Sequence, residues 1–555
     1  MRSQLVLVLV TIATLGAAPR RAAAQRWQDA TAECLGTTAE WSSKVEVADL
    51  DGDGHVDILL PNGGGYSTAG APEPTRIFRN LGTWSTPGAK CTEISAQAVL
   101  GFTGLARAIK VADVDGDGDL DILTGGAWQT QLRLFTRTGA TWTDATANLP
   151  QQLTSAGDFE FGDVDRDGDL DLVIAEWGAG APQSSTGGRT RLYLNDGTGS
   201  FTDATAANMP DLLVRWSWEL TLADLDGDWD LDILVASKSS PRSFAFKNDG
   251  LGRFTDDPTA LPAFTNNYAL EPMDIDRDGD LDLVTINDGP QGREHLFINA
   301  GDGRFTDETA ARLAGTANPS ADDNAAAWLD VDSDGDPDLL IGSLDSPDRL
   351  LLNDGAGVFT LAAGASTPSD TPGTLGIAVV DLNGDGRLDL VQGQGETDFD
   401  DKVQLGSVMI LADTAGPVVR SERLDTAGGV LHARAHDHQS PFRLHDLQRV
   451  VVRYHTGGTE HELPMTWYGE ALWVATLPAH DDYAVCAIDR RGTETCDLGC
   501  TTCGTDDTGG RDDVIDPNTG GDGGCCEAGS SASGSLVLAL GVVVLGWRRR
   551  KTRTR

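Results

Sequence analysis

The sequence predicts an all-β fold, a seven-bladed β-propeller followed by a small β-sandwich. Three observations predict it. The chain of 555 residues holds 66 Gly and 23 Pro, a density of turn formers that helical bundles rarely show. An Asp-rich motif recurs seven times, with starts 50 to 64 residues apart, the period of a propeller, solenoid or array. Short alternating or apolar runs flank every copy, four per period, which matches one propeller blade.

Taken in order, the chain opens on Met1 and Arg2, an apolar run from Leu5 to Ala18, and Ala22-Ala23-Ala24 before Gln25. This reads as a secretory signal over residues 1–24. The propeller is predicted over 25–414. Within it, strands such as Val45–Val47 or Phe159–Phe161 precede the motif, and Ile58–Leu60 or Leu172–Ile174 follow it. Then come strands such as Arg191–Leu194, a turn at Asn195–Gly197 and a last strand such as Phe201–Thr205. The last period places its third strand near Val408–Leu411 and lacks a fourth. Arg26–Thr31 resembles that missing strand, so the N-terminus is expected to complete the last blade and close the ring.

Each motif offers carboxylates at its first, third, fifth and ninth positions. The first positions are Asp49, Asp113, Asp163, Asp224, Asp274, Asp330 and Asp381. The third are Asp51, Asp115, Asp165, Asp226, Asp276, Asp332 and Asn383. The fifth are Asp53, Asp117, Asp167, Asp228, Asp278, Asp334 and Asp385, and the ninth are Asp57, Asp121, Asp171, Asp232, Asp282, Asp338 and Asp389. Oxygen donors at this spacing, with a backbone carbonyl at the seventh position, form a cage for a hard cation, and Ca2+ is expected in up to seven structural sites. No basic residue is placed by sequence to neutralise these carboxylates, which repel one another without a cation. Gly at the sixth position permits the tight turn, but Trp229 stands there in the fourth loop, which is expected to be strained or weak. The EF-hand alternative fails because the twelfth position holds residues such as Leu60 and Thr124, not Glu.

The Asp loops, together with the Asn-x-Gly-x-Gly-x-Phe-Thr-Asp element at Asn195–Asp203, Asn248–Asp256 and Asn299–Asp307, resemble the FG-GAP/VCBS repeats of the integrin α-chain propeller and its bacterial relatives. The resemblance covers residues 26–413. It implies that the calcium loops stabilise the ring on one face and that ligands meet the opposite face. Tyr66, Trp128, Trp177, Trp216 and Tyr268 fall in loops of that opposite face. They are candidates for stacking on sugars or anchoring a protein partner, with packing between blades as the alternative.

Residues 415–498 read as an immunoglobulin- or fibronectin-III-like sandwich, with strands at Leu431–Ala435, Arg449–Tyr454, Ala471–Thr476 and Tyr483–Ile488. His432, His436 and His438 share one strand face, read as solvated rather than metal-binding. Residues 499–533 form a Gly/Asp/Cys-rich linker. Residues 534–555 combine a short apolar segment with an Arg-rich end, expected to stay cytoplasmic and to give the only membrane contact. With Cys525 and Cys526 just upstream, this end resembles the C-terminal sorting tails of myxobacterial-type surface proteins, which implies cell-surface or outer-envelope anchoring through that region. A plain single-span anchor is the alternative. Of eight cysteines, Cys34 with Cys91 and Cys486 with Cys496 are plausible local disulfides, and Cys500 with Cys503 reads as a small one.

The net charge of −43 argues against nucleic acid as a partner. No nucleophile elbow, His-Glu-x-x-His or phosphate loop is present, and only His55 and His295 lie in the propeller. No catalytic residue is therefore assigned. The expected function is calcium-dependent adhesion or binding of a surface glycan or protein. The competing reading is an extracellular carbohydrate-active hydrolase or lyase using carboxylates such as Glu176 or Glu219.

Overall fold

The computed structural model describes residues 26–499 except 288–291, 345, 363–370, 372, 397–398, 426–428 and 443–445. The signal segment, Cys500, Cys503, Cys525, Cys526 and the apolar tail lie outside the described residues. Among the described residues no helix is long and apolar enough to cross a membrane.

The fold is all-β and of propeller type. Successive antiparallel sheets repeat along the chain, each with four strands in order one to four, and the second carries a short fifth strand, Leu153–Thr154, paired with its third. Their first strands are Glu46–Ala48, Ile109–Ala112, Ala156–Gly162, Leu220–Ala223, Asn267–Met273, Asp323–Leu329 and Thr374–Val380. Each adjoins the next, and Thr374–Val380 adjoins Glu46–Ala48. These strands are almost wholly buried, because each packs between its own sheet and its neighbours.

The seventh sheet takes its outermost strand from the N-terminus. Trp27–Asp29 pairs antiparallel with Lys402–Gly406. The third strand of this sheet is therefore Lys402–Gly406, not the expected Val408–Leu411. Val408 is 81% and Leu411 50% exposed; only Ile410 of that run turns inward. Trp27 is fully buried, and its indole N–H donates to Leu388 O at 3.1 Å. Cys34, just after this strand, is bonded to Cys91 in the outermost strand of the first sheet.

The Asn that recurs in the turn before the fourth strand also joins neighbouring sheets. Asn195 Nδ2 donates to Leu170 O in its own loop at 3.1 Å and to Val114 O of the previous sheet's loop at 2.8 Å. Asn248, Asn299 and Asn353 repeat the bridge. Asn80 bridges back to Leu382 O of the seventh sheet at 2.8 Å.

Two further four-stranded sheets follow. One runs Val418–Asp425, Val430–His436, Leu472–Thr476, Thr466–Gly469; the other runs Thr459–Pro464, Leu447–Thr456, Asp482–Asp489, Glu494–Gly499. They share one core of Leu431, Ala433, Val450, Val452, Trp473 and Val485. Cys486 and Cys496 are disulfide-bonded. The histidine face is not solvated: His432, His436 and His438 are all buried. His432 packs against Tyr468 and Trp229, because this sheet lies on the Asp-loop end of the repeat sheets.

Candidate metal loops and the faces they separate

Each Asp loop joins the first and second strands of its sheet. In the first loop Asp49 Oδ1 accepts the N–H groups of Gly52 and Asp53 at 2.9 and 3.1 Å, and Oδ2 accepts that of Gly54 at 2.8 Å. The Asp57 carboxylate accepts Leu50 N–H at 3.1 Å and Asn80 N–H at 2.8 Å. The first and ninth carboxylates therefore fold the loop through its own backbone, and the second loop repeats this with Asp113 and Asp121.

The third-position carboxylates are left over. Oδ1 of Asp115, Asp165, Asp226 and Asp276 is buried without a hydrogen-bond partner. A buried, orphaned carboxylate oxygen is costly unless a cation meets it. In the first loop Asp49, Asp51 and Asp53 offer oxygens within 4.8 Å of one another; in the next two loops the first, third and ninth carboxylates do. The donor set is oxygen only, so the residues fit a hard cation such as Ca2+. Such an ion would supply the positive charge the cluster lacks.

Burial, aided by the neighbouring carboxylates, pushes the ninth-position acids up, to about 7 at Asp57 and Asp121 and about 8 at Asp171, Asp282, Asp338 and Asp389. An acid whose folded pKa is raised binds its proton more tightly in the folded chain. Its contribution is present at low pH and is lost as pH rises through the folded value. In chelator, the melting temperature should therefore fall between about pH 4 and pH 8. In millimolar Ca2+ the same scan should be nearly flat. A flat scan in chelator would remove the argument that these acids are destabilising without a cation.

Basic side chains do answer several loops, contrary to expectation. Arg79 lies 3.3 Å from Asp51, Lys247 2.8 Å from Asp226 and Arg312 3.0 Å from Asp276. Two more come from the C-terminal sheets: Arg434 at 3.2 Å from Asp224 and Arg420 at 3.5 Å from Asp274. They went unnoticed because they lie 21 to 210 residues from their partners, and only the fold brings them together.

The fourth loop explains its own irregularity. Trp229 holds φ +67, the left-handed backbone that Gly adopts in the other loops. Its carbonyl accepts the Tyr468 O–H at 3.0 Å, and its ring faces His432 at 6.1 Å. Trp229 is thus a docking residue for the C-terminal sheets. Asp163 N–H donates to Tyr468 O at 2.7 Å, and Trp328 and Ser440 exchange backbone hydrogen bonds. Arg434 adds bonds to Gly279 O at 3.1 Å and Asp224 O at 3.2 Å. Replacing Arg434 by Ala should cost about 2–3 kcal/mol, read by urea denaturation. Arg453→Ala, at an exposed ion pair, should change little. Equal effects would mean that the interface contributes nothing specific.

The opposite ends of the sheets carry the five candidate aromatics, and the structure brings them together. Tyr66 lies 5.5 Å from Trp216, and Trp128 lies 5.8 Å from Trp177. Trp218, which sequence reasoning missed, joins them at 5.3 Å from Trp177 and 6.4 Å from Tyr268. Trp177, Trp218 and Tyr268 are buried, Trp216 is 9% exposed, and Tyr66 and Trp128 are half-buried. Two buried cations of the chain already use these rings. Arg107 stands 3.8 Å over Trp218, and Lys238 stands 4.5 Å over Trp216. Tyr66 and Trp128 are the members left with accessible surface. Beside Tyr66 opens a groove of about 350 Å3 lined by Trp41, Gly63–Ala71, Glu73 and Glu396. Trp41 Nε1 is buried without a hydrogen-bond partner, and its role was not legible in sequence. Glu176 is paired with Arg191, and Glu219 with Lys44.

A family of FG-GAP-like repeats matches residues 113–174, 179–235, 224–285, 274–341 and 330–391. The chain carries FG-GAP-like repeats. These five matches contain the second to seventh Asp loops. No curated protein matches the chain. Among solved structures, an Agrocybe aegerita lectin described as recognising non-reducing terminal N-acetylglucosamine overlaps at 18% identity, covering 60% of this chain and 86% of that one, with a TM-score of 0.39. The crystal structure of BBS1N in complex with ARL6DN, soaked with mercury, overlaps at 10% identity, covering 69% and 98%, with a TM-score of 0.44. Identities and scores this low say nothing about what the FG-GAP repeats here bind.

Proposed function

We propose that this is a secreted, surface-anchored, calcium-dependent binding protein of the FG-GAP type, whose ligand is a surface glycan. In this reading the seven repeat sheets are the blades of one closed propeller, and up to seven Ca2+ ions brace its loops. The immunoglobulin- or fibronectin-III-like sandwich caps the calcium face, and the residues after 499 lead to the membrane.

The observation that carries the reading is the division of faces. The C-terminal sheets lie on the Asp-loop end through Arg420, Arg434, Ser440 and Tyr468, so the opposite end remains for a ligand. On that end Trp128, Gln129, Trp216, Asn266 and Glu396 hold positive φ. Strained backbone of this kind gathers at ligand clamps. The groove beside Tyr66 sets aromatic rings next to Glu73 and Glu396, which suits the faces and hydroxyls of a sugar.

A glycan array probed with the secreted protein in Ca2+ and in chelator tests this. Binding is expected in Ca2+ and should drop at least tenfold in Tyr66→Ala and in Trp41→Ala. Binding that ignores both substitutions, or no glycan bound at all, would refute the assignment.

A further inference from the structure

The first strands of the repeat sheets enclose a cavity of about 290 Å3, closed on the C-terminal side by Pro441, Phe442, Trp467 and Glu470. Its lining carries seven carboxylates, among them Glu46, Asp158, Glu160, Glu219 and Glu271, against three cations, Lys44, Lys110 and Arg490. Lys44 pairs with Asp158 at 3.3 Å and with Glu219. Lys110 pairs with Glu160 and lies 3.9 Å from Glu46.

Glu271 has neither a hydrogen bond nor an ion pair for its side chain among the described residues, although it is only 4% exposed and lines the cavity. Asp158 is 1% exposed, and its Oδ1 has no hydrogen-bond partner. Burying a carboxylate oxygen that no hydrogen bond meets is costly. Ala269, Ala325 and Ala326 line the same cavity as Glu271, small side chains that leave space in it for a further cation.

We propose that this cavity is a binding site for a small organic cation, whose ammonium or guanidinium group is received by Glu271 and by the free oxygen of Asp158. Two observations favour an organic cation over a metal ion. Ammonium groups already fill the equivalent places among these carboxylates, and a lysine beside Asp158 and Glu219 repels a divalent ion. Apolar residues of the lining, among them Val45, Ile109, Leu222, Ile377 and Phe442, suit a carbon skeleton. The aromatic face proposed for the glycan plays no part, so either proposal stands or falls alone.

The test uses the full chain in saturating Ca2+, so that the loops are constant. Calorimetry with putrescine and with benzylamine is expected to show one site for at least one of them. Glu271→Gln, which keeps shape and loses charge, should weaken it at least tenfold. Ala326→Leu, which fills the cavity, should abolish it, and thermal melts without amine establish that each variant is folded. Glu176→Gln, at a carboxylate paired elsewhere, should bind as the parent does. Absence of binding by both amines, together with native mass spectrometry showing no co-purifying cation, would overturn the proposal. So would loss of one Ca2+ in Glu271→Gln with no amine effect, since that assigns the site to a metal.

Discussion

Chelation of the purified protein should lower its melting temperature by about 10 °C or more, the largest effect expected for any single treatment. A site held at about a hundred times its Kd contributes about 2.7 kcal/mol. Unfolding entropy of about 2 cal/mol/K per residue makes each kcal/mol worth about 1 °C in a propeller of this length. Seven occupied loops would then sum to about 20 °C, and half of them to about 10 °C. The loops should not respond alike. Asp115→Ala removes a third-position carboxylate with an orphaned oxygen and, among the described residues, no ion pair. Asp226→Ala removes one already met by Lys247. The first should lose one bound ion and about 3 °C, and the second should lose less. A melting curve unchanged by chelator would show that basic residues and protons alone balance these carboxylates.

The repeat was legible because its signal is chemical and periodic: seven loops of one composition at one spacing, each followed by an apolar run. That the N-terminal strand completes the seventh sheet was legible because a strand-like element was missing at one end and present at the other; its partner, Lys402–Gly406 rather than Val408–Leu411, was not. What was not legible depended on neighbours far apart in sequence. His432, His436 and His438 read as a solvated face because alternation in one strand does not reveal what lies on it. His432, for one, is covered by Trp229, about 200 residues earlier in the chain. Trp229 itself was visible as an irregular sixth position, and its cause was not, since Tyr468 and Arg434 belong to the other half of the interface. The five aromatics stand close together, and the burial of Trp177 and Tyr268 follows from Trp218, Arg107 and Lys238 closing around them. The charged cavity escaped notice because its carboxylates sit in first strands that otherwise look like ordinary core.

Trp27→Ala should cost about 3–5 kcal/mol, the usual range for truncating a buried aromatic. Its effect should exceed that of any comparable change in an outer strand. The reason is topological. Trp27 fills the core shared by the sixth and seventh sheets, with Leu340, Leu390 and Ile410. It also anchors the only strand of the seventh sheet that comes from the other end of the chain. Without it, Lys402–Gly406 becomes an open edge, and the closed ring proposed above loses its seam. Two further links hold the same seam. The Cys34–Cys91 bond closes a loop with a sequence separation of 57, for which chain entropy gives about 4 kcal/mol. The Asn80 amide, donating to Leu382 O, adds about 1 kcal/mol. Because all three restrain one seam, their losses should not add: once Trp27 is gone, opening Cys34–Cys91 should cost less than it does in the parent. Trp142→Ala, in the outermost strand of the second sheet, is the control and should cost clearly less, since that strand is continuous with its own sheet. Urea denaturation of the four variants decides the matter. A Trp27→Ala midpoint equal to that of Trp142→Ala would mean that the N-terminal strand decorates the seventh sheet and does not close the ring.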